Sequence, residues 1–149
     1  SSQPFFTSAS QALWCIILLA SWKGVAYWMI FLIGGLKDIS PKIYEAAEID
    51  GAGTLRRFWN ITIPMLTPTI LFNMVMSIIG SFQVFTQAFV LTEGGPANAT
   101  LTMVLYLYQK GFQNFHFGYA SALAWILFTV VLFFSLLGMR SSRYWVFYG

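Results

Sequence analysis

Charged side chains are scarce in this sequence. Asp, Glu, Lys and Arg make up 9% of its 149 residues, where an ordinary soluble domain carries roughly 25%. Between Gln11 and Leu36 the one charge is Lys23, between Arg57 and Glu93 there is none, and between Lys110 and Arg140 the one side chain able to carry a positive charge is His116. A chain this short cannot wrap three such runs in its own polar shell, so a water-soluble globule is excluded and the runs read as membrane spans. Cysteine is nearly absent too: Cys15 is single and lies in an apolar run, which rules out an internal disulfide and leaves it a small packing residue. His116 has no neighbouring ligands, so no metal site is expected. There is no Gly-x-x-x-x-Gly-Lys-Ser/Thr phosphate loop, no His-Glu-x-x-His and no Ser-His-Asp set, and no catalytic residue or cofactor is expected. The net charge of +3 does not point to nucleic acid, because the cations follow a membrane pattern.

What is present is long apolar helix. The first span is expected over about 12–36, the second over about 65–91 and the third over about 119–139. At 1.5 Å per residue each can cross a hydrocarbon layer of about 30 Å. The second is long enough to need tilt or a bend, with Pro68 near its start. Lys23 must snorkel or face a wet interior. The polar opening, Ser1 to Ser10, reads as a loop; the sequence does not begin with Met, and more chain is expected before it. The fold class is therefore all-α, a polytopic membrane helix bundle.

Two polar segments join the spans. In 37–63, Ser40 is placed to cap a helix with Pro41 at its first position. Asp50-Gly51 is a turn signal, with Gly51 and Gly53 free to take positive φ. Thr54 is placed to cap a second short helix, with Leu55, Phe58 and Trp59 on one face. The segment 92–118 has a breaker at Gly94-Gly95-Pro96, followed by a helix within 100–113 too short to span and suited to an interface. Three spans put 37–63 and the C-terminal end on one side. That side holds Lys37, Lys42, Arg56, Arg57, Arg140 and Arg143, six of the eight cations. The positive-inside rule makes it cytoplasmic and 92–118 external.

Within 37–63 stand Glu45-Ala46-Ala47, Asp50-Gly51-Ala52 and Ile61-Thr62-Ile63-Pro64. The pattern resembles the signature loop of the permease subunits of bacterial ATP-binding-cassette importers, with Ile63 where Leu is usual. Thr92-Glu93-Gly94-Gly95-Pro96, the aromatic stretch Tyr106 to Phe112, and Phe117-Gly118-Tyr119-Ala120-Ser121-Ala122 are similar to the carbohydrate-uptake branch. The resemblance implies the C-terminal part of one transmembrane permease domain of a type I importer, multi-pass in the bacterial inner membrane, carrying a sugar or related polar solute. It also implies two coupling helices seated on a cytoplasmic ATP-binding subunit through Glu45, Ala46, Ala47, Asp50, Gly51, Ala52, Phe58, Ile61 and Pro64. The implied partners are that ATPase, a second permease subunit, an external solute-binding protein and membrane lipid. Tyr44, Ala47, Leu55 and Phe58 are the apolar anchors that a groove would accept.

Inside the spans, Asn73, Ser77 and Ser81 fall on one helix face, with Gly80 beside it, and Gly24 and Tyr27 share another. Since helices flanking such a loop line the path in the family, Gly24, Tyr27, Ser77 and Ser81 are the path candidates. By pattern alone Ser77 and Ser81 serve close helix packing equally well, and Gly24 serves it better. Two other functions fit the residues less well. A membrane-embedded enzyme would need ionisable residues in the spans, where only Lys23 qualifies. An ATP-independent channel or secondary transporter leaves the 45–64 pattern unexplained.

Overall fold

The computed structural model describes residues 8–147, all of whose regular structure is helical. Helix α1 is Ala9–Asp38, α2 Pro41–Ile49, α3 Thr54–Arg57, α4 Ile63–Phe82, α5 Thr86–Thr92, α6 Met103–Tyr108 and α7 Phe117–Ser141. Two π turns, Phe58–Thr62 and Gln109–Gln113, extend α3 into α4 and α6 toward α7. Three stretches, Ala9–Asp38, Thr54–Thr92 and Phe117–Tyr144, are long and apolar enough to cross a membrane. Their surfaces carry Trp22 at 80% exposure, Leu18 at 66% and Trp125 at 69%. Apolar exposure on that scale is stable only against lipid or against more protein.

The second apolar stretch is not one helix. The expected span over 65–91 breaks after Phe82 and restarts at Thr86, while the helix continues through Pro68. The break is held by a bond from outside the helix: the Thr102 hydroxyl donates to Val84 O at 2.6 Å. The same oxygen accepts Leu105 N–H at 3.3 Å and so caps α6. One side chain thus satisfies a carbonyl freed by the break and an amide freed by a helix start.

The chain divides into two compact units, Ser1–Val25 with Ser77–Ser135 and Ala26–Met76 with Leu136–Gly149. In the first, Ile16, Ala88 and Leu105 form a small core, with Phe85, Phe89 and Tyr108 packed on it. The Phe85 and Phe89 rings stack at 5.3 Å, and Tyr108 meets Phe85 edge-on at 5.3 Å. The expected breaker after α5 is a turn in which Gly94 has φ +93, and the Thr100 hydroxyl donates to Gly95 O at 2.8 Å.

In the second unit, α1 and α4 approach closely. A Cβ on Gly35 would lie 2.5 Å from Thr69 Oγ1 and 3.0 Å from Leu66 Cδ2, so any larger residue there would have to displace Thr69. Phe31 and Phe72 meet at 5.2 Å, and Asn73 Nδ2 reaches Trp28 O at 3.5 Å. Pro68 has no N–H, so Pro64 O loses its ordinary helical donor. The Thr67 hydroxyl replaces it at 2.6 Å, and the same oxygen accepts the Phe147 N–H at 2.8 Å. The chain end is thereby bonded to the start of α4.

Candidate functional site: an exposed two-helix hairpin at Pro41–Pro64

All of Pro41–Pro64 lies within the second unit. Ser40 is the N-cap residue of α2, extended at φ −61 and ψ 129 with Pro41 next, as expected from the sequence. Its side chain makes no capping bond, so proline geometry rather than the hydroxyl starts the helix. At the other end Gly51 takes φ +76. Gly51 N–H bonds Glu48 O at 3.0 Å, and Ala52 N–H bonds Ala47 O at 2.9 Å. This pair of bonds is the Schellman termination, which requires a left-handed residue where Gly51 stands. A Cβ on Gly51 would meet nothing within 4 Å, so glycine is needed for its φ and not for space.

Two sequence expectations are corrected here. Gly53 is not left-handed: it has φ −65 and ψ 164 and is itself the N-cap residue of α3. Thr54 is therefore the first helical residue and not the cap. Extended backbone at Gly53 lets the chain reverse between the helices with one positive-φ residue, Gly51, and no second.

Two side-chain contacts close the hairpin, and neither is apparent from the pattern. Arg57 Nη1 donates to Glu48 Oε2 at 2.9 Å, with Glu48 71% exposed and Arg57 22%. An exposed pair of this kind contributes about 0.2–1 kcal/mol, enough to bias the fold of a turn. Tyr44 and Thr62 share a hydrogen bond of 2.8 Å that fixes α2 to the π turn. That turn ends immediately before the Ile63-Pro64 pair, and its C-cap Ile63 N–H bonds back to Phe58 O, five residues away.

Among the charged residues that the hairpin exposes stand several large apolar ones. Ile49 is 87% exposed, Leu55 73%, Trp59 61% and Phe58 43%. Phe58 and Trp59 meet edge to face at 5.5 Å. Glu45, Ala46, Asp50 and Gly51 are exposed, while Ala47, Ala52, Ile61 and Pro64 are half-buried. Sequence reasoning missed Ile49 as an outward group. Its place at the helix end beside Asp50-Gly51 could have suggested it, since a residue at a tight reversal has few neighbours.

The four path candidates are more dispersed. Gly24 and Ser77 are half-buried, and Ser81 is exposed with its hydroxyl turned back onto Ile78 O at 2.8 Å. That bond uses the Ser81 donor within its own helix and leaves its lone pairs outward. Tyr27, in the other unit, is 49% exposed and packs edge-on against Trp28 at 4.8 Å and Phe31 at 5.1 Å. Asn73 is buried instead, with Oδ1 unpartnered among the described residues. Among those residues no cluster of three metal-ligating side chains occurs.

Residues 4–144 match the family described as the binding-protein-dependent transport system inner membrane component. The chain is 44% identical over 97% of its length to a probable ABC transporter permease protein of Bacillus subtilis, YesP, covering 47% of that protein. It is 36% identical over 95% of its length to the arabinooligosaccharides transport system permease AraP of the same organism, covering 46% of that one. Against the lactose transport system permease LacF of Rhizobium radiobacter, identity is 41% over 86% of the chain and 44% of the relative. The chain thus spans a little under half the length of each of these three relatives.

Proposed function

Because the chain belongs to the family of inner membrane components of binding-protein-dependent transport systems, we propose that it forms the C-terminal part of a permease subunit that moves a sugar or related polar solute inward. The energy comes from ATP hydrolysis in a separate subunit, and Pro41–Pro64 is the surface on which that subunit docks. The chemistry of this chain is binding and transmission, not bond breaking. The sugar assignment is supported by relatives named for arabinooligosaccharides and lactose.

One observation carries the docking reading. A hairpin tied by a Schellman turn, an ion pair and the Tyr44–Thr62 bond leaves Ile49, Leu55 and Trp59 outward. A solvated connector would be polar and loosely bonded. A rigid hairpin with large apolar groups outward fits a groove in a partner, with Glu45 and Asp50 available to cationic or N–H partners. The hairpin runs into α4 through the π turn without a break, so a displacement of the hairpin reaches the span. On this reading the hairpin faces the cytoplasm and 92–118 faces outward, where a solute-binding protein delivers cargo. Gly24, Tyr27, Ser77 and Ser81 contribute to the path, and a second permease subunit completes it.

The test uses the full-length permease expressed with its ATPase. Leu55→Glu should lower ATPase co-purification about tenfold or more, since burying an unpaired carboxylate costs several kcal/mol. Ser8→Glu, outside the hairpin, should leave it unchanged. Equal co-purification by both variants would end the docking reading.

A further inference from the structure

At its N-terminal end α7 begins beside a cleft of about 620 Å³ whose walls include Tyr106, Lys110, His116 and Tyr119 and no carboxylate. The Lys110 ammonium lies 5.3 Å from the centre of the Tyr106 ring, and the Tyr106 and Tyr119 rings meet edge to face at 6.5 Å. A single cation is therefore held against the Tyr106 ring, with a second phenol, Tyr119, beside that ring. Lys110 is carried by the π turn Gln109–Gln113, and this turn is pressed onto α7: a Cβ on Gly111 would come 3.1 Å from Ala120 Cβ.

A second cleft, of about 400 Å³, lies further along the same helix between Ser121, Ala124, Trp125 and Phe128. Gly118 of the first cleft and Ser121, Trp125 and Phe128 of the second follow at intervals of three, four and three residues. Those intervals keep them on one stripe of an α-helix. Trp125 is 69% exposed and Phe128 55%. The stripe thus has the cleft with the cation and the phenols at its head and the apolar trough further along. A solute arriving from water has no use for the trough. A molecule already lying in the membrane, with a charged head and a long tail, matches both parts.

We propose that this stripe of α7 holds an anionic phospholipid, its phosphate against Lys110 and the tyrosine hydroxyls and one acyl chain along Ser121–Phe128. The site requires that α7 crosses a membrane with this stripe turned toward lipid. It is independent of the docking role of the hairpin and of the nature of the solute.

The full-length protein that carries this chain is extracted in mild detergent from bilayers of equal phosphatidylglycerol and phosphatidylcholine, and the retained lipid is counted by mass spectrometry. Phosphatidylglycerol should be retained in preference. Lys110→Gln should lower its retention about fivefold, the worth of one basic residue at an anionic surface. Ala124→Trp, which fills the trough and leaves the cation, should lower retention of both lipids. A photo-crosslinking side chain at position 125 should label phospholipid. Unchanged retention in both variants overturns the proposal. Displacement of the retained lipid by millimolar inorganic phosphate alone would assign the cleft to a soluble anion, and crosslinking to another helix would assign the trough to protein packing; either result also overturns it.

Discussion

Gly51 is the point at which the hairpin can be altered without touching any contact. Its φ of +76 lies in the left-handed region, and a side chain there would meet no atom within 4 Å. The penalty of adding a Cβ is therefore conformational alone, about 1–2 kcal/mol. That corresponds to roughly a 5- to 30-fold shift toward hairpins with the turn reopened. Asn tolerates the left-handed region far better than Ala, and a β-branched residue tolerates it worst. Gly51→Asn should therefore be nearly silent, Gly51→Ala intermediate and Gly51→Val most severe. The reopened turn separates Glu48 from Arg57 and re-aims Glu45, while the spans keep their packing. In proteoliposomes containing the full-length permease, its ATPase and binding protein, the readouts are ATPase association, substrate-stimulated hydrolysis and uptake. Losses graded Asn, Ala, Val are expected, with wild-type amounts of folded permease. Gly51→Val at wild-type level in all three readouts would show the hairpin to be a connector. Equal loss in Asn and Val would show that something other than backbone φ is at work.

Other expectations follow from the same geometry. In a Cys15→Ser background, Asn98→Cys should be labelled by an impermeant thiol reagent from outside and Arg143→Cys from inside, as the cation asymmetry requires; Asn98→Cys labelled only from the cytoplasmic side would refute the topology. Tyr27→Ala and Ser77→Leu should each lower uptake with assembly intact, and normal transport by both would return these residues to helix packing. Thr67→Val removes the hydroxyl that serves Pro64 O and receives Phe147 N–H; it should cost about 1 kcal/mol in thermal unfolding of the purified permease, the net worth of a part-buried hydrogen bond, and Thr67→Ser should recover most of that. A Thr67→Val protein as stable as wild type would mean that water already serves both groups.

The spans were legible because charge is expelled from them, and that signal depends on composition alone. The Gly51 conformation was legible because Asp-Gly after a short helix has few other uses. The break at 83–85 was not. The residues there are as apolar as their neighbours, and what ends the helix is a hydroxyl from Thr102, about twenty residues further on. Gly53 was misread because glycine permits positive φ without requiring it, and only the bonding of Ala52 and Gly51 decides which glycine is used. The outward set Ile49, Leu55 and Trp59 was half legible: helical periodicity gives the α3 face, but exposure of Ile49 depends on where the hairpin turns. Ser81 illustrates a further limit, since its spacing along the span says nothing of the bond that folds its hydroxyl back onto its own helix.

The π turn at Phe58–Thr62 has a consequence of phase. In an uninterrupted α-helix, Leu55, Trp59, Thr62 and Leu66 would fall on a single stripe, being spaced four, three and four apart. Yet Leu55 and Trp59 are 73% and 61% exposed, while Thr62 and Leu66 are 8% and 6% exposed. The wide turn advances less per residue than an α turn, so it retards the helix between the two pairs and points them in different directions. It acts as a one-residue offset in a shaft: the apolar pair faces outward because the chain is one residue longer here than a regular helix would need. Removing Asn60 from the turn would change no charge and no apolar surface. It would swing Leu55 and Trp59 into line with the buried stripe, and a partner seated on that pair would lose its purchase.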